Sequence, residues 1–146
     1  MRLQDKVAIV TGGGSGIGRG ISLRFAAEGA RVVIADLDID AANRVVAEIE
    51  AAGGAASSVR VDVRRQDDVQ EMVDATVAVY GGIDILVNNA GAGRIIPFFE
   101  TTEADWDLMF DVNCKGVLFC SQAVAKVMIE QGRGGKIVNL ASQAGR

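Results

Sequence analysis

The chain has 146 residues, 49% of them hydrophobic, which suits one domain with its own core over residues 1–146. A formal net charge of −4 with no basic run argues against a nucleic-acid or anionic-membrane partner, and the absence of histidine removes most zinc sites and any Ser-His-Asp triad. No apolar run approaches the ~20 residues of a membrane span, and the opening Met1-Arg2-Leu3-Gln4-Asp5-Lys6 lacks the shape of a secretory leader, so a cytoplasmic protein without a metal site is expected.

In chain order, Lys6–Val10 is a short apolar strand, followed by the glycine-rich run Thr11–Gly18 and a helical pattern from Gly16 to Gly29. Ala30–Asp36 is a second strand. A helix over Asp40–Gly54 ends on Gly53 and Gly54, as helices commonly do. Ala56–Val63 is a third strand. Gln66–Gly82 is a helix with acidic residues in its first turn, where the dipole favours them. Ile83–Gly91 is a fourth strand running into a polar turn, and Gly91–Glu100 is a loop holding Pro97. Thr102–Gln131 is one long helix or two abutting ones, with Thr102 as N-cap and Asp105 three positions on. Gly134–Ser142 is a fifth strand. Cys114 and Cys120 fall on different sides of that long helix, so buried free thiols are expected rather than a disulfide.

Short strands, apolar on both faces and alternating with helices, predict a doubly wound parallel α/β sheet. Five strands are present, and the fifth is expected to lack a covering helix, so the expectation is an incomplete sheet whose further C-terminal strands are missing.

The glycines Gly12, Gly16 and Gly18 sit in the first strand-to-helix turn, in the pattern T-G-x-x-x-G-x-G. A glycine turn alone is equally a tight turn with no ligand. Its position between a strand and a helix lets the backbone approach a pyrophosphate, whose charge the helix N-terminus favours. Asp36 ends the second strand about 20 residues on, where a carboxylate can accept from ribose hydroxyls. These positions, together with Asp62, Asn88–Gly91 and Ser142, all fall at carboxyl ends of strands, the edge where open α/β sheets bind ligands. Taken alone, Asn88 and Asn89 also read as turn residues, Asn113 as a helix residue bonding backbone, and Ser142 as an ordinary strand-end serine.

The sequence resembles the short-chain dehydrogenase/reductase family, with its Rossmann-type fold. The resemblance rests on TGGGSGIG (Thr11–Gly18), Asp62 after the third strand, NNAG (Asn88–Gly91), Val112-Asn113, and IVNLAS ending on Ser142, in the family's order. It implies that Gly12, Ser15, Gly16, Ile17 and Gly18 carry the pyrophosphate. Asp36 and Leu37 would read the ribose, Asp62 and Val63 the adenine, and Asn89, Ala90 and Gly91 would line the cofactor cleft. It further implies that Asn113 kinks the long helix and holds a water in a proton relay, and that Ser142 bonds the substrate oxygen. Homodimers or homotetramers through the long helices are implied for the full-length protein, as is a small alcohol or ketone substrate.

Asp36 should repel a 2′-phosphate, Leu37 is no cation, and Arg19 falls beyond Gly18, so NAD is the expected cofactor. The family's tyrosine, with a lysine four residues later, would lie beyond Ser142. The one tyrosine here is Tyr80, followed four residues later by Asp84. The chain therefore reads as the cofactor half plus one substrate-side residue, with little turnover expected from it alone. Gly132–Arg146 resembles the corresponding run of sorbitol-type polyol dehydrogenases, which implies oxidation of a secondary alcohol of a sugar alcohol by hydride transfer to NAD. Acetoin/diol dehydrogenases and 3-oxoacyl reductases share much of that run. A non-catalytic NAD-binding module stays open beside the enzyme reading.

Overall fold

The computed structural model describes residues 1–142. The expected alternation is present: β1 (Val7–Thr11), α1 (Gly16–Ala27), β2 (Arg31–Asp36), α2 (Ile39–Ala51), β3 (Ala55–Arg60), α3 (Gln66–Tyr80) and β4 (Ile85–Asn88). A 3₁₀ turn at Phe98–Glu100 leads to α4 (Glu103–Phe110), a π-helical segment (Asp111–Lys115), α5 (Gly116–Glu130) and β5 (Lys136–Asn139). All the strands pair in parallel, in the order β3-β2-β1-β4-β5. The chain winds outward from β1 to β3 and then resumes on the other side of β1. The direction of winding therefore reverses between β1 and β4, which makes this a doubly wound, Rossmann-like sheet.

The period of two along each strand sorts the core into two layers. Ala8, Val10, Val32, Ile34, Ile85 and Val87 pack with Ala26 of α1 and Ala42, Val45 and Ile49 of α2. Ile9, Val33, Ala35 and Leu86 pack on the opposite face with Val69, Met72 and Val73 of α3 and Cys120, Val124 and Met128 of α5. Fully burying such aliphatic side chains stabilises the fold by roughly 1.5–3 kcal/mol each. Helix ends are set locally. The Asp38 carboxylate accepts from the N–H groups of Asp40 and Ala41 at 3.0 Å and caps α2. Gly81 closes α3 in the left-handed region (φ 79°). Thr102 and Asp105 form the expected capping box on α4.

Several boundaries and burials differ from expectation. β3 ends at Arg60 rather than Val63. Val61 and Val63 are buried yet lie past the strand, where the chain turns on the Asp62 carboxylate. β3 and β5 are edge strands and are not apolar on both faces. β3 is only partly buried, and Ile137 and Val138 of β5 are 37% and 47% exposed. The described residues of the run Gly132–Arg146 stop at Ser142, so its last four residues lie outside them. Of the two cysteines, only Cys120 is buried, and burial pushes its thiol up to about 12. Cys114, in the π-helical segment, is exposed. By length and composition the helical run Glu103–Glu130 could cross a bilayer. Here one stripe of it, Gly116, Cys120, Val124 and Met128, packs against the rest of the fold, while most of the run is exposed or half-buried.

At the amino edge of the sheet Asp84 ties three segments together. Its carboxylate accepts from Val7 N–H at 2.9 Å and pairs with Arg133 at 3.0 Å, while its own main chain bonds β1 and β5. Burial raises its carboxyl pKa, but the Val7 N–H and Arg133 more than offset this and hold it below the ordinary carboxylate value. The resulting stabilisation is present above the unfolded-state carboxylate range and is lost as pH falls through the depressed folded value. Asp84→Ala should lower stability by about 2 kcal/mol at neutral pH, measured by urea denaturation, and the gap from wild type should close in acid. A gap that persists unchanged at acid pH would contradict this account of Asp84.

Candidate functional site

Where the winding reverses, the segments after β1 and β4 diverge and open a cleft of about 490 Å³ at the carboxyl edge. Its lips are held by one buried hydroxyl. Thr11, 1% exposed, donates from Oγ1 to Val87 O at 3.3 Å and accepts from Asn89 N–H at 3.1 Å and Ala90 N–H at 3.0 Å. The Asn89 amide crosses back, donating to Thr11 O at 2.9 Å and Gly12 O at 3.0 Å. This lattice dictates the glycines. Gly12 takes φ +62°, and a Cβ there would meet Ala90 Cα at 2.9 Å. A Cβ on Gly18 would overlap the Gly12 carbonyl. Alanine is therefore excluded by sterics at Gly18 and by both backbone conformation and sterics at Gly12.

These constraints point the start of α1 into the cleft. Ser15 is its N-cap residue, yet no side chain caps this end, and its first turn holds no acidic group. α2 and α4 are both capped by their own side chains. The uncapped end is suited to an external anion. Across the cleft the Asp36 carboxylate is fixed by two backbone donors, Gly14 N–H on Oδ2 at 2.8 Å and Asp38 N–H on Oδ1 at 3.0 Å. Each oxygen keeps a lone pair for a hydroxyl donor. Leu37, 54% exposed, offers an apolar surface beside it.

Asp62 lies past β3, and its carboxylate is taken by Arg64 through Nε at 2.8 and 3.1 Å and Nη2 at 2.6 Å. The Arg64 hydrogen bonds, outweighing partial desolvation, hold the Asp62 carboxyl below its ordinary range. The Asp62 N–H in turn donates to Asp68 at 3.1 Å. Arg64 was not among the expected site residues, although it lines the cleft. Its charge is spent on Asp62, so the one cation lining this cleft among the described residues is already paired.

Eleven of the twelve expected cofactor residues line this one cleft: Gly12, Ser15, Gly16, Ile17, Asp36, Leu37, Asp62, Val63, Asn89, Ala90 and Gly91. Gly18 lies beneath it as a packing residue. Asn113 falls in the π-helical segment, a form of kink often found at functional sites. Its side chain clamps both backbone groups of Ala92, accepting from the N–H at 2.9 Å and donating to the carbonyl at 2.8 Å. Ser142 stands past the end of β5 at the same carboxyl edge. Asn88, 4% exposed, ties β4 to β5 and α5 through Asn139 at 2.8 Å and Ser121 at 3.0 Å. Tyr80 ends α3 packed against the core, away from this edge.

The short chain dehydrogenase family model matches residues 6–146, and the chain belongs to that family. It is 49% identical to a galactitol 2-dehydrogenase of Agrobacterium fabrum and 47% identical to a sorbitol dehydrogenase of Cereibacter sphaeroides, in each case over 100% of this chain and 56% of the relative. The chain thus spans about half the length of the curated relatives it matches. A 7α-hydroxysteroid dehydrogenase, solved with NADH and 7-oxo glycochenodeoxycholic acid, superposes with a TM-score of 0.93 at 41% identity, covering 98% of this chain and 55% of that one.

Because the Thr11 hydroxyl alone satisfies two amides on the cleft's lip, Thr11→Val should cost about 2 kcal/mol in chemical denaturation. A loss below about 0.5 kcal/mol would show that water replaces the hydroxyl without penalty.

Proposed function

We propose that this chain is the dinucleotide-binding part of an NAD-dependent oxidoreductase acting on a secondary alcohol of a sugar alcohol. The observation that carries the reading is the Asp36 carboxylate, pinned by two backbone N–H groups at one end of a cleft whose other wall is the uncapped N-terminus of α1. A dinucleotide fits this set of donors and acceptors. The N–H groups at the start of α1 receive the pyrophosphate, and Gly12 and Gly16 let it approach the backbone. Asp36 accepts from the adenosine ribose hydroxyls, and the Asp62 and Val63 turn meets the adenine. A 2′-phosphate beside Asp36 would face a carboxylate with no free cation near it among the cleft residues, which favours NAD over NADP.

Asn89, Ala90 and Gly91 then border the nicotinamide end of the cleft. Bound there, the nicotinamide supplies the acceptor for the electron pair that leaves the alcohol carbon. Ser142, past the end of β5 at the same edge, is assigned to the substrate oxygen, to which its hydroxyl would donate a hydrogen bond that orients the reacting carbon. Asn113 holds the Ala92 segment against the helix kink and fixes the floor on which a relay water would sit. Sugar alcohols are favoured as substrates by the identity to the galactitol and sorbitol enzymes.

The direct test replaces the ribose reader. In the whole protein, Asp36→Ala with Leu37→Arg should move the ratio of kcat/KM for NAD over NADP by at least about tenfold toward NADP, assayed with galactitol and sorbitol. An unchanged ratio would sink the cofactor assignment. Failure of both hexitols as substrates would sink the substrate class.

A further inference from the structure

Gly14 belongs to the same glycine run as Gly12 and Gly16 but is glycine for a different reason. Its φ lies outside the left-handed region, so an L-residue could adopt its backbone conformation. The obstacle is space. A Cβ at position 14 would stand 2.9 Å from Asp36 Oδ2, 2.9 Å from Ala41 Cβ and 3.0 Å from Ala42 N. Ala41 and Ala42 sit in the first turn of α2 and are buried. That turn is held by the Asp38 cap and by Val45 and Ile49 in the core, so its backbone yields poorly. The Asp36 carboxylate, the free end of a rotatable side chain, moves most readily, and the contacts with Ala41 and Ala42 press the loop of residues 13–15 away from α2. The same Oδ2 also receives the Gly14 N–H at 2.8 Å.

We infer that Gly14 is a specificity-determining position: its bare backbone both makes room for the Asp36 carboxylate and holds it by a hydrogen bond in the orientation that selects NAD over NADP. The inference rests on the NAD reading above and adds a residue that touches no cofactor group itself. Gly14 is thus a positioning residue. A methyl group there displaces the carboxylate and loosens the reader.

The test is a double-mutant cycle read by equilibrium binding of NADH and NADPH, followed by nicotinamide fluorescence. Gly14→Ala should weaken NADH about tenfold, the loss of one charge-assisted hydrogen bond, and weaken NADPH distinctly less, so that the NADH preference falls. In an Asp36→Ala background the same substitution should have no further effect on NADH. Gly20→Ala, an exposed α1 position where a Cβ meets nothing within 4 Å, should leave both affinities unchanged. Independently of whether Gly14→Ala folds, Asp36→Ala should speed hydrogen exchange at the Gly14 amide. The inference is overturned if Gly14→Ala keeps the wild-type NADH preference, if it weakens NADH equally with Asp36 removed, or if Gly14 exchange does not change. Equal binding of NADH and NADPH by the unsubstituted protein would instead overturn the NAD reading on which the inference stands.

Discussion

Everything at the carboxyl edge depends on the hydroxyl of Thr11. A parallel sheet whose winding reverses between two adjacent strands must let the chain leave each strand in opposite directions, and the gap so formed would expose unpaired amides. Thr11 accepts the first two amides after β4 and donates to Val87, while Asn89 returns two bonds to the segment after β1. With the two lips fixed, Gly12 and Gly18 can be nothing larger, and the start of α1 has one direction in which to point. The cleft is therefore a consequence of how the reversal is satisfied.

The acids at and near the cleft are each held by a partner. Asp36 is oriented by neutral backbone donors, which keep its full charge available to hydroxyl donors. Asp62 is held by Arg64, which leaves no free guanidinium among the described residues lining the cleft. Asp105 serves the α4 cap and also pairs with Arg94 at 3.4 Å. The cleft thus offers an anion site made of backbone amides at one wall and a carboxylate at the other. This charge pattern suits a dinucleotide.

Much of this was legible in sequence because it is local. The alternation of strands and helices, the Thr102–Asp105 box and the edge position of Asp36 all follow from neighbours within a few residues. The contents of the cleft were legible through ordered motifs. Other features are not local. The hub role of Thr11 needs partners 76 to 79 residues away. The bonds from Asn88 to Ser121 and Asn139 span 33 and 51 residues. The end of β3 was misjudged because Val61 and Val63 are buried like strand residues, although the Asp62–Arg64 turn has already begun. The exposure of β5 and of Cys114 depends on what packs beside them, which no periodicity records.

The most direct test of the central claim is amide NMR of the protein titrated with NADH. The account predicts shifts concentrated at residues 12–18, 36–37, 62–64 and 89–92, the strip along the carboxyl edge from the start of α1 to the loop after β4. Shifts centred on other faces of the sheet, or none at saturating NADH, would contradict the assignment of this cleft as the dinucleotide site.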